Sequence, residues 1–180
     1  MDKSELRKKY ILIRNSITQK QLKSDIIFEK VKETDIFKST KVIALYASKN
    51  EEVDTKRIAE YAMDLNKIVA FPKTYENGIM EFYKVNSLSD LEFNDKLKLF
   101  EPCEKSESLV NKIDIELMII PGVCFDTFNN RIGFGKGYYD RFLHDCESIY
   151  KLGICFNEQI ICEEIQVDEF DIKMNQIISD

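Results

Sequence analysis

Residues 42–71 read VIALYASKNEEVDTKRIAEYAMDLNKIVAF, and this stretch decides the class of fold. Two runs rich in β-branched, aromatic and small apolar residues, residues 41–47 and 67–71, have the composition of buried strands. Between them a helix is expected from Asp54-Thr55 to about Leu65. Strand, helix, strand in that order predicts two parallel strands joined by a right-handed crossover. Pro72 is expected to end the second strand. Ser48-Lys49-Asn50-Glu51-Glu52 is polar and lies at the carboxyl end of the first strand, where α/β proteins bind ligands.

Working outward, residues 3–15 place Leu6, Tyr10, Ile13 and Ile17 at the spacing of one helix face. Lys3 and Arg7 are four apart and project from one side of that helix. On spacing alone they read as a solvated basic face. Thr18 with Gln21 three residues later predicts a capping box opening a second helix to about Phe37. Beyond the crossover, Asn77-Gly78 between apolar residues is a hairpin signal. Residues 85–113 are polar and poorly periodic, broken by Pro102, and read as loops with short segments rimming a pocket. Residues 113–120 and 150–156 read as strands, 158–165 as a helical or turn piece, and 174–178 as a last short strand. The sum predicts an α/β fold of three layers, α/β/α, with a mainly parallel sheet, Rossmann-like, residues 1–180 forming one domain.

The 180 residues are 44% hydrophobic, enough for one sizeable core. A net charge of −6 argues against a general nucleic-acid binder. No run of about 20 apolar residues is present to span a membrane, and MDKSELRKKY lacks the apolar centre of a signal peptide. Five cysteines without a C-x-x-C pair read as reduced thiols of a cytoplasmic protein. The single histidine, His144, has no second histidine for a metal or triad, and is expected to face solvent or cap a helix.

Residues 118–143, MIIPGVCFDTFNNRIGFGKGYYDRFL, hold four of the chain's six glycines. An apolar run, Leu117–Ile120, stops at Pro121-Gly122, a polar loop runs from Asp126 to Arg131, and Gly133, Gly135 and Gly137 alternate with Phe134 and Lys136. Helical character resumes at Tyr138–Leu143, so the glycines sit where a loop enters a helix. Glycine permits positive φ and close approach to a ligand, and unpaired N–H groups at a helix start favour an anion. Lys136 and Arg131 add two full charges. The reading is a phosphate-binding loop. It is not the Walker form, because Asn130 stands at the first glycine and Gly137 follows Lys136. Nor is it the dinucleotide fingerprint, because Tyr138 holds the third glycine position.

The string Pro121-Gly122-Val123, Phe125-Asp126 and Asn130-Arg131-Ile132-Gly133-Phe134-Gly135-Lys136-Gly137-Tyr138-Tyr139-Asp140 closely resembles the signature of the 5-formyltetrahydrofolate cyclo-ligase family, also called 5,10-methenyltetrahydrofolate synthetase. The resemblance implies ATP-dependent conversion of 5-formyltetrahydrofolate to 5,10-methenyltetrahydrofolate, with release of ADP and phosphate through an imidate phosphate. It implies ATP and Mg2+ as cofactors, and a folate substrate with or without a polyglutamate tail. No nucleic-acid or membrane partner is expected, and the protein is expected to be a monomer. Lys3 and Arg7 match an N-terminal pair that reaches the nucleotide phosphates, together with the loop from Arg131 and Ile132 through Gly133, Phe134, Gly135, Lys136, Gly137, Tyr138 and Tyr139. Ala47 and Glu52 match folate-binding positions, joined by Phe134 through Tyr138. A one-residue register shift would choose Glu51, and the plain alternative for Glu52 is a charge at a helix N-terminus. Asp140 and Asp171 match metal ligands. Phe170 and Asn175 depart from the His and Asp often found in that tail. Without the resemblance Asp140 reads as a partner for Arg141 or Lys136. Tyr138 and Tyr139 leave a helix roughly 100° apart; the resemblance puts Tyr138 by the folate and Tyr139 nearer the nucleotide. Lys136, Arg131 and Tyr138 are the expected catalytic residues. Two rival readings are a folate- or nucleotide-binding regulator that has lost the reaction, and a different α/β enzyme acting on a phosphorylated substrate.

Overall fold

The computed structural model covers residues 1–180. In chain order its elements are α1 (Lys3–Ser16), α2 (Lys20–Glu33), α3 (Asp35–Ser39), β1 (Val42–Ala44), α4 (Lys56–Asp64), β2 (Ile68–Thr74), β3 (Met80–Val85), β4 (Leu91–Asn94) and β5 (Leu99–Pro102). These are followed by β6 (Leu109–Val110), β7 (Leu117–Ile120), β8 (Cys124–Asp126), β9 (Arg131–Ile132), α5 (Tyr138–Leu143), β10 (Tyr150–Cys155), β11 (Ile160–Ile161) and β12 (Gln176–Ser179).

The central sheet has seven strands in the order β12-β10-β7-β1-β2-β3-β6. The first five are parallel to their neighbours, and β3 and β6 add an antiparallel edge. The crossover predicted from residues 42–71 is present as β1-α4-β2, with Val42 opposite Ile68. The apolar runs serve both faces of the sheet. Ile43, Leu45, Leu117 and Ile119 join α2, α3 and α4 in one core, while Ala44, Met118 and Ile120 face Phe125, Leu143 and Met174 in another. Strands buried on both sides read as continuous apolar sequence rather than alternation. The second outer layer is mixed: short α5 shares it with a three-stranded sheet, β11-β8-β9. On the far side of that sheet α1 packs through Tyr10 against Val123, Cys124 and Ile132.

Several local expectations are corrected. The Thr18–Gln21 capping box does not form. Ile17 is drawn into the core beneath α2, and Gln19, at φ 56, becomes an N-cap without a side-chain hydrogen bond. The capping box belongs to α1, where Asp2 and Glu5 exchange bonds at 2.8 and 3.0 Å. The second helix does not reach Phe37 unbroken; Thr34 ends α2 and caps α3, its hydroxyl accepting from Phe37 N at 3.2 Å. Strand β2 runs through Pro72, which pairs with Phe82. β1 has already ended on the other side, so the missing N–H interrupts no ladder there. The loop between Asp126 and Arg131 is the turn of a hairpin, β8–β9. Residues 85–113 contain a second hairpin, β4–β5, as well as β6. The Asn77-Gly78 hairpin is present between β2 and β3, with both residues at positive φ. No helix is long and apolar enough to cross a membrane.

Candidate active site

A cleft of about 520 Å³ opens where α1, the loop after β1, the β4–β5 hairpin and the glycine loop meet. That volume lies in the range of small-molecule sites. Every site residue predicted from the sequence lines it. Lys3 and Arg7 come from α1, Ala47 and Glu52 from the loop after β1, and Arg131 and Ile132 from β9. Gly133, Phe134, Gly135, Lys136 and Gly137 form the loop, Tyr138, Tyr139 and Asp140 the first turn of α5, and Asp171 precedes β12.

The glycine loop takes its shape from backbone that other residues avoid. Gly135 has φ +89, and a Cβ there would come within 3.3 Å of the Arg7 guanidinium carbon. Gly137, at φ +67, is the N-cap of α5, with Arg141 against its open face. Arg7 Nε donates to Gly133 O at 2.8 Å, tying α1 to the start of the loop. Lys136, at the loop's crest, is exposed and lines the cleft.

Arg131 is held differently. It is buried, donates from Nη1 to Pro121 O at 3.0 Å, and pairs through Nη2 with Asp140 Oδ1 at 2.9 Å. The partner of Asp140 is therefore Arg131, neither Arg141 nor Lys136. Arg141 bonds instead to the carbonyls of Gly78 and Lys136. The hairpin that delivers Arg131 is braced by Asp126. That buried carboxylate accepts from Phe128 N (2.9 Å), Asn130 N (2.8 Å), Asn130 Nδ2 (2.8 Å) and Ile165 N (2.7 Å).

Glu52 closes its own loop. Its Oε2 accepts from Lys49 N at 2.9 Å, and its backbone N–H donates to Lys49 O at 3.0 Å. Because α4 begins later, with Thr55 as N-cap, Glu52 does not cap that helix. Burial pushes its carboxyl above the usual carboxylate range, and the Lys49 amide and Arg14 offset part of that rise. Glu51 is more exposed, and Glu52 is the residue lining the cleft. Tyr138 and Tyr139 both line the cleft, Tyr138 with its hydroxyl 3.3 Å from Tyr75 O and Tyr139 beneath the Arg131 guanidinium at 5.6 Å. Burial holds the Tyr139 phenol protonated, with Arg131 pulling the other way.

At the cleft's far end Lys3 pairs with Asp168 at 2.6 Å and with Asp171. Burial works against its charge, but the two carboxylates outweigh that and raise its pKa. Thus each acid matched to a metal ligand is paired here with a cation matched to phosphate. Asp140 Oδ1 also accepts from Ile172 N at 3.3 Å, which brings the Asp171 segment up to α5. No group of three or more His, Cys, Asp or Glu side chains is gathered for a metal.

Sequence reasoning did not single out Lys49, Asp168 or the apolar wall of Met80, Leu97, Leu99 and Phe100. Only the general expectation of a rim in residues 85–113 pointed toward the last three. His144 is exposed, as expected.

The family model of the "5-formyltetrahydrofolate cyclo-ligase family" matches residues 1–180. A probable 5-formyltetrahydrofolate cyclo-ligase of Schizosaccharomyces pombe is 32% identical over 166 residues, 85% of this chain and 81% of that one. The solved 5,10-methenyltetrahydrofolate synthetase of Aquifex aeolicus superposes with a TM-score of 0.83 at 32% identity, over 98% of this chain and 89% of the other. That of Mycoplasma pneumoniae gives 0.79 at 26% identity, over 100% and 99%.

Proposed function

The chain belongs to the 5-formyltetrahydrofolate cyclo-ligase family, and on that premise we propose that its cleft performs the family's ring closure with ATP as the phosphoryl donor. One observation carries the proposal. Residues from positions 3 to 171, on α1, the loop after β1, the glycine loop and the segment before β12, converge on one cleft. It holds a basic end at Lys3, Arg7 and Lys136, and an apolar wall closed by Glu52.

The basic end suits a triphosphate. Phosphoryl transfer is carried by positioning and by neutralising charge on the transferring group, and Arg7, Arg131 and Lys136 reach this space from three elements. The apolar wall of Leu97, Leu99 and Phe100 suits the flat rings of the folate, and the Glu52 carboxylate offers an acceptor for pterin N–H groups. Asp140 and Asp171 fit a magnesium ion. Mg2+ takes one or two carboxylates and fills its octahedron with phosphate oxygens and water, so these two aspartates would supply the protein's share of its donors. Bound there, the ion would neutralise phosphate charge.

The formyl oxygen attacks the γ-phosphorus and ADP departs, leaving the formyl carbon activated as an imidate phosphate. The N10 lone pair then adds to that carbon and N10 loses its proton. The C–O bond breaks, phosphate leaves, and the five-membered ring is closed. No protein nucleophile is required. Lys136, free to follow the transferring group, stabilises its charge, and Arg131, anchored through Nη1 on Pro121 O, offers Nη2 to the phosphate once an ion takes Asp140.

The test mixes protein, ATP, magnesium and 5-formyltetrahydrofolate and follows the near-ultraviolet absorbance of the methenyl product. Growth of that band dependent on ATP is the expected result. Tight binding of both ligands without product would instead favour a regulator that has lost the reaction.

A further inference from the structure

Helix α1 carries a second arginine that the reading above does not use. Arg14 is 3% exposed and stands behind the cleft wall, not in it. Its Nε and Nη1 are buried without an acceptor. Its nearest anions are Glu52 Oε1, 3.6 Å from Nη1, and Glu51 Oε1, 3.7 Å from Nη2, both too far for good hydrogen bonds. The same guanidinium lies 5.0 Å from the centre of the Phe134 ring, within cation–π range. Arginine does not lose its proton in proteins, and a buried charge with unused donors is costly unless a partner is near. Arg131, by contrast, has both terminal nitrogens bonded, to Pro121 O and Asp140 Oδ1, whereas no nitrogen of Arg14 has an acceptor within hydrogen-bond distance. Arg14 spends its charge on two parts of the cleft that are remote in sequence.

We infer that Arg14 is a positioning residue: from behind the wall it holds the Glu52 carboxylate ionised and the Phe134 ring in place, so that both meet the folate preformed. This rests on the reading of Glu52 as a folate-binding carboxylate. The groups facing Glu52 are Arg14, Lys49, Glu51, Tyr46 and Tyr139. The two phenols are held protonated by burial, so Arg14 and Lys49 are the only cations that oppose the rise of the Glu52 pKa.

The experiment is a cycle of R14M, E52Q and the double variant, each checked for its melting temperature. KM for 5-formyltetrahydrofolate and for ATP is measured between pH 6 and 8. R14M is expected to raise KM for the folate about tenfold, the size of one weakened hydrogen bond to a charged group, with KM for ATP and kcat within about threefold. The defect should deepen as pH falls, because Glu52 then protonates at higher pH than in the parent protein. E52Q should raise KM for the folate without that pH dependence, and on top of it R14M should add only the smaller, pH-independent part that comes from Phe134. R14K, which keeps the charge and loses the fork, should fall between; if R14M does not fold, R14K takes its place in the cycle. An unchanged folate KM in a folded R14M, or the same tenfold loss in the E52Q background, overturns the inference. An E52Q protein with unaltered folate KM overturns the underlying reading of Glu52, and is recognised because it needs no Arg14 variant.

Discussion

Lys136 and Arg131 bring like charge to one cleft under opposite constraints, and only at Lys136 should a substitution separate folding from chemistry. Lys136 is exposed on a glycine-flanked crest, where truncation costs little stability, within about 0.5 kcal/mol. K136A should therefore melt with the parent protein while kcat falls roughly 10²–10³-fold, the usual loss for a group that meets transition-state charge. Turnover near normal would remove Lys136 from the mechanism. Arg131 offers no such clean test, since its loss would also strand Asp140. Glu52 yields a prediction on stability. Its folded pKa is raised from the ordinary 4.5 by burial, so the folded state holds the proton more tightly than the unfolded chain. The associated stabilisation is complete below 4.5 and is lost as pH rises through the folded value. E52Q has no such titration. Urea unfolding of the two proteins at pH 4.5, 6 and 8 should show the parent losing ground to E52Q and then levelling off. A difference that does not vary with pH would mean the carboxyl is not buried in solution. Lys3 and Arg7 illustrate what single residues disclose. Their spacing marks a helix face, but a solvated face and a phosphate clamp share that spacing, and only the resemblance separated them. Arg14 lies seven residues beyond Arg7 and thus near the same face, yet nothing in the sequence says that this end of α1 is buried.

At the scale of elements, the legible parts were those whose burial leaves an apolar trace. The crossover β1-α4-β2, the strands β7 and β10, and the α5 segment all carry one. Elements held by polar groups left none. The β8–β9 hairpin turns through Thr127–Asn130, which reads as a solvated loop, because Asp126 supplies from inside the bonds that a core would otherwise replace. Hairpin β4–β5 has Phe93 and Phe100 paired in the open at 5.2 Å, so neither strand shows an alternating buried face. The Thr18–Gln21 pattern fitted a capping box locally and lost to the burial of Ile17. The Asp126 brace is testable. Its carboxylate satisfies four donors, and D126A leaves buried N–H groups unpaired, so it should destabilise the protein by about 3–5 kcal/mol. D126N keeps one acceptor but turns an amide group toward Asn130 and Ile165, and should cost less. A loss below about 1 kcal/mol for D126A in urea unfolding would show that the hairpin does not depend on this residue. Activity should fall further than stability alone explains, because β9 is what aims Arg131.

Across the whole molecule, the site joins segments near the two ends of the chain through ion pairs that the proposed ligands would rearrange. Lys3, near the N-terminus, is held by Asp168 and Asp171, and Arg131 is held by Asp140. If Lys3 and Arg131 turn to phosphate oxygens, the acids lose their partners; if an ion takes the acids, the two basic residues lose theirs. On the proposed reading, nucleotide alone and magnesium alone would each break pairs and leave their partners uncompensated until the other ligand binds. Bound together, they would exchange two internal pairs for phosphate–cation and carboxylate–ion contacts. Stabilisation by ATP with magnesium should then exceed the sum of the separate effects of ATP in a chelator and of magnesium without nucleotide. A ligand at a hundred times its Kd stabilises by about 2.7 kcal/mol, which for a chain this long is about 5–10 °C in melting temperature. Each ligand alone is expected to give a small part of that shift. K3A should weaken the excess, since Asp171 then starts unpaired and magnesium alone has less to displace. Strictly additive shifts in the parent protein would mean that the pairs across the cleft persist when the ligands bind, and that Asp140 and Asp171 are struts between α1, β9 and the last segment rather than the seat of an ion.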